Sequence, residues 1–332
     1  MAYAYTAVVF LALPFMLTAG DRWWTATMLL FGPRWLLSFP LFLLVPAAAI
    51  FNRRLLLPLV IAALVIAGPL MRFNLPLGKM SVAASSWTQN LRVLTCNVDQ
   101  AVFDRAQFVA VIKELSVDIA TLQEYPPALT IALPAGWNIV RDNQYAIISR
   151  FPLTKVKTVQ IMHPKEKWAF TFLLHAIVHT PNGDVNVCSL QLPTPRVGLM
   201  QILDKRTGLR PSRSGLFYDE TAYRRNAALE ARRYIDTLAR PVIVAGDFNT
   251  PVDSTLYRSV WDGYSNAFSE VGLGYGWTQR VAVLGYTYRA RIDHILTQKG
   301  LTPLVCEVGP DVGSDHLPVI ADFRMEKVPS PR

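Results

Sequence analysis

Several polar residues in this 332-residue sequence stand where short apolar runs end or begin. LRVLTCN ends in Asn97, IATLQE ends in Glu124, and PVIVAGDFN delivers Asp247 and Asn249 just after an apolar run. RIDHIL opens with Asp293, and GSDHLPV sets Asp315 and His316 before a further run. Oxygen donors from several strand ends suit a hard cation such as Mg²⁺, which takes carboxylates, water and substrate phosphate as ligands. Taken singly, each residue has a plainer reading. An Asn or Asp at a strand end is a turn former, Glu124 or Asp293 a solvated charge, and His316 a hydrogen-bonded structural histidine.

The elements that must position these residues begin at Leu91. Strands are predicted at Leu91–Cys96, Ile119–Leu122, Tyr145–Ser149, Phe170–Val178, Val185–Leu190, Val242–Ala245, Asp293–Thr297 and Val319–Phe323. Apolar residues recurring every three to four positions predict helices at Arg105–Leu115 and Tyr223–Leu238. Many strands with few helices imply packed sheets with helices outside. His175 and His179 read as strand-surface residues.

Composition divides the chain. Hydrophobic residues make up 52% and charged residues only 17%, where soluble domains carry about 25% charge. Residues 1–90 hold six Lys/Arg and one acid, Asp21, a net +5 that leaves +4 for residues 91–332. The basic balance therefore reflects residues flanking apolar runs, and argues poorly for a nucleic-acid surface. Cys96, Cys188 and Cys306 lie far apart with no CxxC pair, which excludes a disulfide framework and a structural zinc site.

Tyr5–Ala19, Met28–Phe51 and Leu55–Met71 are apolar enough to cross a bilayer, the second from near Trp35 because Pro33 and Arg34 interrupt it. Met1–Thr6 has no charged side chain, unlike the start of a signal peptide. The expected organisation is a transmembrane region of about three helices over 1–72, a linker over 73–90, a catalytic domain over 91–325 and a tail over 326–332. Arg22 and Arg34 flank the first loop, Arg53 and Arg54 fill the second, and Arg72 and Lys79 follow the third span. The tight Arg53-Arg54 pair leans the C-terminal domain outward, and the residues after the third span lean it the other way.

The ordered set Asn97, Gln123-Glu124, Ser149-Arg150, Gly246-Asp247-Phe248-Asn249, Ile292-Asp293 and Ser314-Asp315-His316 resembles the endonuclease/exonuclease/phosphatase superfamily. That group includes deoxyribonuclease I, abasic-site endonucleases, inositol-polyphosphate phosphatases and neutral sphingomyelinases. The resemblance implies an α+β fold, a four-layer αββα sandwich with its active site at one edge of two sheets. It implies metal ligation by Asn97, Glu124 and Asp315, with Mg²⁺ as the ion and Mn²⁺ as its substitute. Asp247 and Asn249 resemble the pair that orients and activates water, His316 the residue that contacts the scissile phosphate, and Asp293 its helper. Arg150, Arg196 and Trp277 are expected at the substrate. Many family members have a histidine where this chain has Gln191, whose amide donates a hydrogen bond but gives up no proton.

The short apolar spans joined to this domain resemble bacterial membrane phosphoesterases of the teicoplanin-resistance type. That implies a multi-pass protein of the cell membrane, with an extracytoplasmic domain acting on a lipid-linked phosphate or phosphodiester. Pro193–Arg225 holds Arg196, Lys205, Arg206, Arg210, Arg213, Arg224 and Arg225, and reads either as a cationic lip for phosphate or as a solvated loop. A membrane-attached nuclease and an inactive scaffold are the alternative functions.

Overall fold

The computed structural model describes residues 1–77, 90–99, 103–162, 169–203, 215–283 and 286–325. Lys79, Lys205, Arg206, Arg210, Arg213, most of the expected linker and the expected tail lie outside them.

The N-terminal region folds as α1 (Ala2–Ala19), α2 (Trp24–Phe31), a 3-10 turn at Arg34–Ser38, α3 (Leu41–Phe51) and α4 (Leu56–Val65). Three helical segments, Ala2–Ala19, Arg34–Phe51 and Arg53–Leu70, are long and apolar enough to cross a membrane. Each has 18 residues, or about 27 Å of helix. Their outward faces carry exposed Phe42, Leu43, Ile50, Phe51, Leu57 and Leu64, which nothing among the described residues covers. The short α2 lies between the first two, in the run expected to open the second span.

In chain order, the strands are β1 (Asn90–Asn97), β2 (Ile119–Gln123), β3 (Asn138–Asp142), β4 (Tyr145–Ser149), β5 (Leu153–Met162), β6 (Ala169–Thr180), β7 (Gly183–Gln191), β8 (Val242–Asp247), β9 (Ser265–Asn266), β10 (Gln279–Val283), β11 (Tyr286–Ala290), β12 (Asp293–Thr297), β13 (Leu301–Val308) and β14 (Val319–Met325). The remaining helices are α5 (Arg105–Glu114), α6 (Arg196–Leu203), α7 (Gly215–Ile235), α8 (Thr255–Val260) and α9 (Ala267–Val271). One sheet runs β13-β14-β1-β2-β4-β3 and the other β5-β6-β7-β8-β12-β9, with β10-β11 as a separate ribbon.

Alternation along the strands makes the layers. Val93, Ile119 and Ile147 of one sheet pack against Ala176, Val187 and Ala245 of the other in a common core. Their neighbours Leu94, Ala120 and Ile148 point the other way, beneath Phe108 and Ile112 of α5. Cys188, Val242 and Val244 likewise face Ala227, Ala231 and Ile235 of α7. Successive strand residues face opposite sides, so strands apolar on both sides must be covered twice, and the αββα sandwich follows.

His175 is buried, contrary to its reading as a surface residue, because it lies on the helix-facing side of β6. Its Nδ1 meets the Tyr234 hydroxyl at 2.8 Å and its Nε2 meets Asn186 Oδ1 at 2.9 Å. His179 does lie at the surface, beside Asp184. The described start of the expected linker is docked rather than free. Asn74 and Gly274 exchange backbone hydrogen bonds of 2.8 and 2.9 Å, and Phe73 meets Tyr275 edge-on.

Candidate active site

Two parallel strand pairs set the site. β1 runs parallel to β2 and β7 parallel to β8, each pair joined by a crossover containing a helix. Asn97, Glu124, Gln191 and Asp247 consequently leave the sheets at the same edge. β12 is antiparallel to β8, with Asp293 opposite Asp247, and β14 is antiparallel to β1, which returns the preceding Ser314-Asp315-His316 turn to that edge. Gly246 lets β8 approach β7: a Cβ there, at φ 155°, would stand 1.8 Å from the Leu190 carbonyl oxygen.

Asp247 is buried at the centre. Its Oδ1 accepts the Asn249 backbone N–H at 2.8 Å, and its Oδ2 accepts the amides of Asn249 at 2.9 Å and Asn97 at 3.2 Å. Asn249 also donates to the Leu192 carbonyl at 2.9 Å. Burial, reinforced by the Asp293 charge, raises the Asp247 pKa against these hydrogen bonds and the nearby His316.

His316 and Asp293 form a buried ion pair, with Nδ1 2.9 and 3.1 Å from the two carboxylate oxygens. Burial works against the imidazolium, but the Asp293 charge and hydrogen bond outweigh it and raise the His316 pKa. The Thr278 hydroxyl oxygen accepts the Asp293 N–H at 3.3 Å, and the Ser314 hydroxyl accepts the His316 N–H at 3.1 Å. Backbone and ring are thus both fixed.

Glu124 completes the edge in the left-handed region, at φ 52°, an uncommon conformation for a residue with a Cβ. Its Oε1 accepts the Gln191 amide at 2.6 Å and the Asn97 amide at 2.9 Å. Gln191 thus has an N–H committed to a carboxylate, and its Oε1 is buried without a hydrogen bond among the described residues. Asp315 is half-exposed nearby; burial raises its pKa, and the charges of Asp99 and Glu124 add to that against the pull of His316.

The donor set fits a hard divalent cation. Asp247, Asp293 and His316 offer ligand atoms within 4.8 Å of one another, but the imidazolium pairs with Asp293 and already offsets one of the two carboxylates. Glu124 and Asp315, with the Asn97 side chain beside them, offer a second set of oxygens that can hold the ion.

The other expected substrate residues do not gather here. Arg150 follows β4, antiparallel to β2, and its Nε pairs with Asp118 at 2.5 Å. That is the opposite edge of the sheet, about 20 Å from Glu124 by strand rise. Arg196 is exposed at the start of α6, where its charge acts on Tyr288. Trp277 stacks on Tyr275 with ring centroids 4.5 Å apart and lines a cavity beside the apolar helices. Arg224 is buried, contrary to a role in a cationic lip, because it lies on the inner face of α7. It donates to the Asn249 carbonyl and the Thr250 hydroxyl, both at 2.8 Å. Its place among the buried Ala227, Ala228 and Ala231 is the sequence signal for that burial.

An αββα sandwich with carboxylates, amides and an Asp–His pair converging at one edge defines a hydrolase of phosphoester bonds. The chain belongs to the endonuclease/exonuclease/phosphatase family, whose sequence pattern matches residues 88–316. No curated protein matches it. Among solved structures, the fold is similar to a 3′ phosphatase, NExo, from Neisseria bound to product DNA hairpin, at 20% identity over 70% of this chain and 99% of that one, with a TM-score of 0.51. It is also similar to an AP endonuclease from Archaeoglobus fulgidus, at 17% identity, 70% and 98% coverage and a TM-score of 0.51. A family protein from Bacteroides thetaiotaomicron aligns at 16% identity, 71% and 98% coverage and a TM-score of 0.50.

Proposed function

We propose that this chain is a membrane-anchored, Mg²⁺-dependent phosphoesterase that hydrolyses a lipid-linked phosphate ester or phosphodiester by attack of water. The observation that carries the anchored reading is the joint between helices and sandwich. Arg34, at the head of the second apolar segment, donates to Asp253 at 2.7 Å, and Arg72, after the third, approaches the same carboxylate at 3.4 Å. Asp21, after the first, accepts from the Ser254 hydroxyl. A sandwich fixed to three span ends meets lipid headgroups at high effective concentration.

In this reading Asp247 takes the proton from water, its basicity raised by burial, while Asn249 holds it in place. His316, kept cationic by Asp293, donates to a phosphoryl oxygen as negative charge develops there. Gln191 steadies Glu124. Glu124, Asp315 and Asn97 would hold the metal, which would supply charge neutralisation for the phosphate.

Sidedness follows the arginines. Arg22, Arg34 and Arg72 lie at the sandwich end of the three segments, where Arg34 and Arg72 approach Asp253, and the exposed Arg53-Arg54 pair lies at the other end. A tight pair of exposed cations in a short loop leans that loop to the cytoplasmic side, which supports an extracytoplasmic sandwich. A nuclease is the second reading, favoured by the DNA bound to the Neisseria phosphatase.

The test is hydrolysis by the full chain in detergent, with and without Mg²⁺, of a polyprenyl pyrophosphate, a phosphatidylinositol phosphate, sphingomyelin and plasmid DNA. Turnover of a lipid that needs both Mg²⁺ and Asp247, with DNA untouched, supports the proposal. DNA cleavage with inert lipids replaces it with the nuclease.

A further inference from the structure

A cavity of about 230 Å³ lies where the apolar helices meet the sandwich. Its walls come from the α2–Arg34 turn, the Met71-Arg72 end of the third segment, the Pro251–Asp253 loop, Trp277 and the end of β11. Four of the lining residues are arginines, Arg34, Arg72, Arg289 and Arg291, and the only acid among them is Asp253. The excess is three positive charges in a recess that borders the catalytic edge. Arg291 is two residues from Asp293, Trp277 adjoins Thr278, and Pro251 is two residues from Asn249, so each lies within about 7 Å of chain from a site residue.

Arg291 is the unexplained group. It is 7% exposed, rests over the Phe268 ring at 4.9 Å, and its Nη1 is buried without a hydrogen-bond partner among the described residues. Burial, with Arg72 adding, lowers its pKa to about 10, which still leaves it cationic at neutral pH. An unpaired buried guanidinium is costly, and an anion in the cavity would balance it. Arg34 and Arg72 share one carboxylate, so they do not exhaust the site's charge.

The shape of the surroundings says what carries that anion. At about 230 Å³ the cavity falls below the ~300–1,000 Å³ of sites that enclose a whole drug-sized ligand. It suits a headgroup. Trp35 lines it and begins an aromatic run down the second span, with Trp35–Phe39 centroids 5.4 Å apart and Phe39–Phe42 centroids 6.4 Å apart. Phe39 and Phe42 are 52% and 74% exposed on the face that would meet lipid.

Resting on the membrane phosphoesterase reading above, we infer that this cavity binds the phosphate headgroup of a membrane amphiphile, with its acyl chain lying along the Trp35–Phe42 face. The site lies beside the reaction centre and is distinct from the metal-binding edge. Its arginines fix a phosphate, and its aromatic exit admits a hydrocarbon tail where a free phosphate has none.

Binding is measured on the full chain in detergent carrying Asp247→Asn and in EDTA, so that no turnover contributes. The probes are dihexanoyl phosphatidic acid, dihexanoyl phosphatidylcholine and inorganic phosphate, read by tryptophan fluorescence and by the rise in Tm. The expected result is saturable binding of the phosphatidic acid, weakened about 10–100-fold by Arg291→Gln, the span of one charge-assisted hydrogen bond. Exposed Arg289→Glu, which disturbs no buried contact, is expected to weaken it at least as much. Unchanged affinity in a folded Arg289→Glu chain overturns the inference, as does inorganic phosphate binding as tightly as the amphiphile, or the phosphatidylcholine binding equally well. Retained, arginine-dependent binding in a chain whose Asp247 form hydrolyses no lipid would instead sink the proposed activity and leave the site standing.

Discussion

Gln191 donates its amide to Oε1 of Glu124 at 2.6 Å, the same oxygen that receives the Asn97 amide at 2.9 Å. Two donors on one oxygen hold the carboxylate of a residue that sits at φ 52°. Groups that orient a metal ligand are worth about 10–100-fold in metal affinity. Gln191→Ala is therefore expected to raise the Mg²⁺ concentration for half-maximal activity by about 10–100-fold, with a smaller fall in kcat at saturating metal. A Mg²⁺ titration of hydrolysis checks this. An unchanged titration with collapsed kcat would put Gln191 on the substrate instead.

The Asp293–His316 pair predicts a different signature. Asp293→Asn keeps the shape but removes the charge that sustains the imidazolium against burial. Activity is expected to fall by about 10²–10⁴-fold, the range for a general acid–base group or its orienting carboxylate. In the same variant the His316 ring should titrate lower than in the parent chain, read from its histidine resonances by NMR. A lowered titration with full activity would separate the ion pair from the chemistry.

Most of the site was legible because its residues terminate apolar runs. Asn97, Glu124, Asp247, Asn249, Asp293, Asp315 and His316 all come to one edge as expected, and β4 and β12 have the predicted bounds. Arg150 misled because a residue's place in an ordered motif says nothing of which end of an antiparallel strand it occupies. The strands β3, β5, β9, β10, β11 and β13 are not among those predicted. β3 and β5 lie at or near sheet edges with mixed burial, and β10-β11 is a detached ribbon, so alternation is weak there. The helix–sandwich joint was invisible for another reason. Asp21 and the Ser254 hydroxyl that donates to it are 233 positions apart, one just after α1 and the other just before α8, and local patterning has no way to pair them.

His294 sets a pH dependence of stability. It is buried between the Phe248 and Tyr257 rings with Nε2 on the Thr250 carbonyl at 3.0 Å, while Nδ1 has no partner among the described residues. Burial, aided by the Arg291 charge, lowers its pKa to about 4. Between pH 4 and its ordinary value of about 6.5 the unfolded chain binds a proton that the folded chain refuses, so stability rises with pH across that window. The stability is complete above about pH 6.5 and falls on acidification by about 1.4 kcal/mol per pH unit, on the order of 3 kcal/mol in all. His294→Gln keeps an N–H donor but does not titrate. Its Tm should fall less than the parent's between pH 6.5 and 4.5, and the difference between the two chains removes the carboxylates' share. Equal slopes would show that His294 is not the titrating group.

Arg224 ties the apolar N-terminal helices to the loop behind Asp247. Its guanidinium donates to the carbonyls of Pro193 at 3.1 Å and Asn249 at 2.8 Å, and lies 3.6 Å from Oδ1 of Asp21, a carboxylate oxygen with no hydrogen bond among the described residues. Burial lowers its pKa, and Asp21 is the first of the charges that oppose this. Arg224→Leu leaves Asp21 buried and uncompensated, which costs about 3–5 kcal/mol when one partner of a buried pair is removed. The expected loss in Tm for a domain of this size is about 6–20 °C. Asp21→Asn removes the stranded charge, so the double variant should recover about 0.5–3 kcal/mol relative to the sum of the single changes. Activity per folded molecule should also fall in Arg224→Leu, because the Asn249 carbonyl loses the donor that fixes the loop behind Asp247. Simple additivity with normal turnover would mean that the first span and the catalytic loop are neighbours without being coupled.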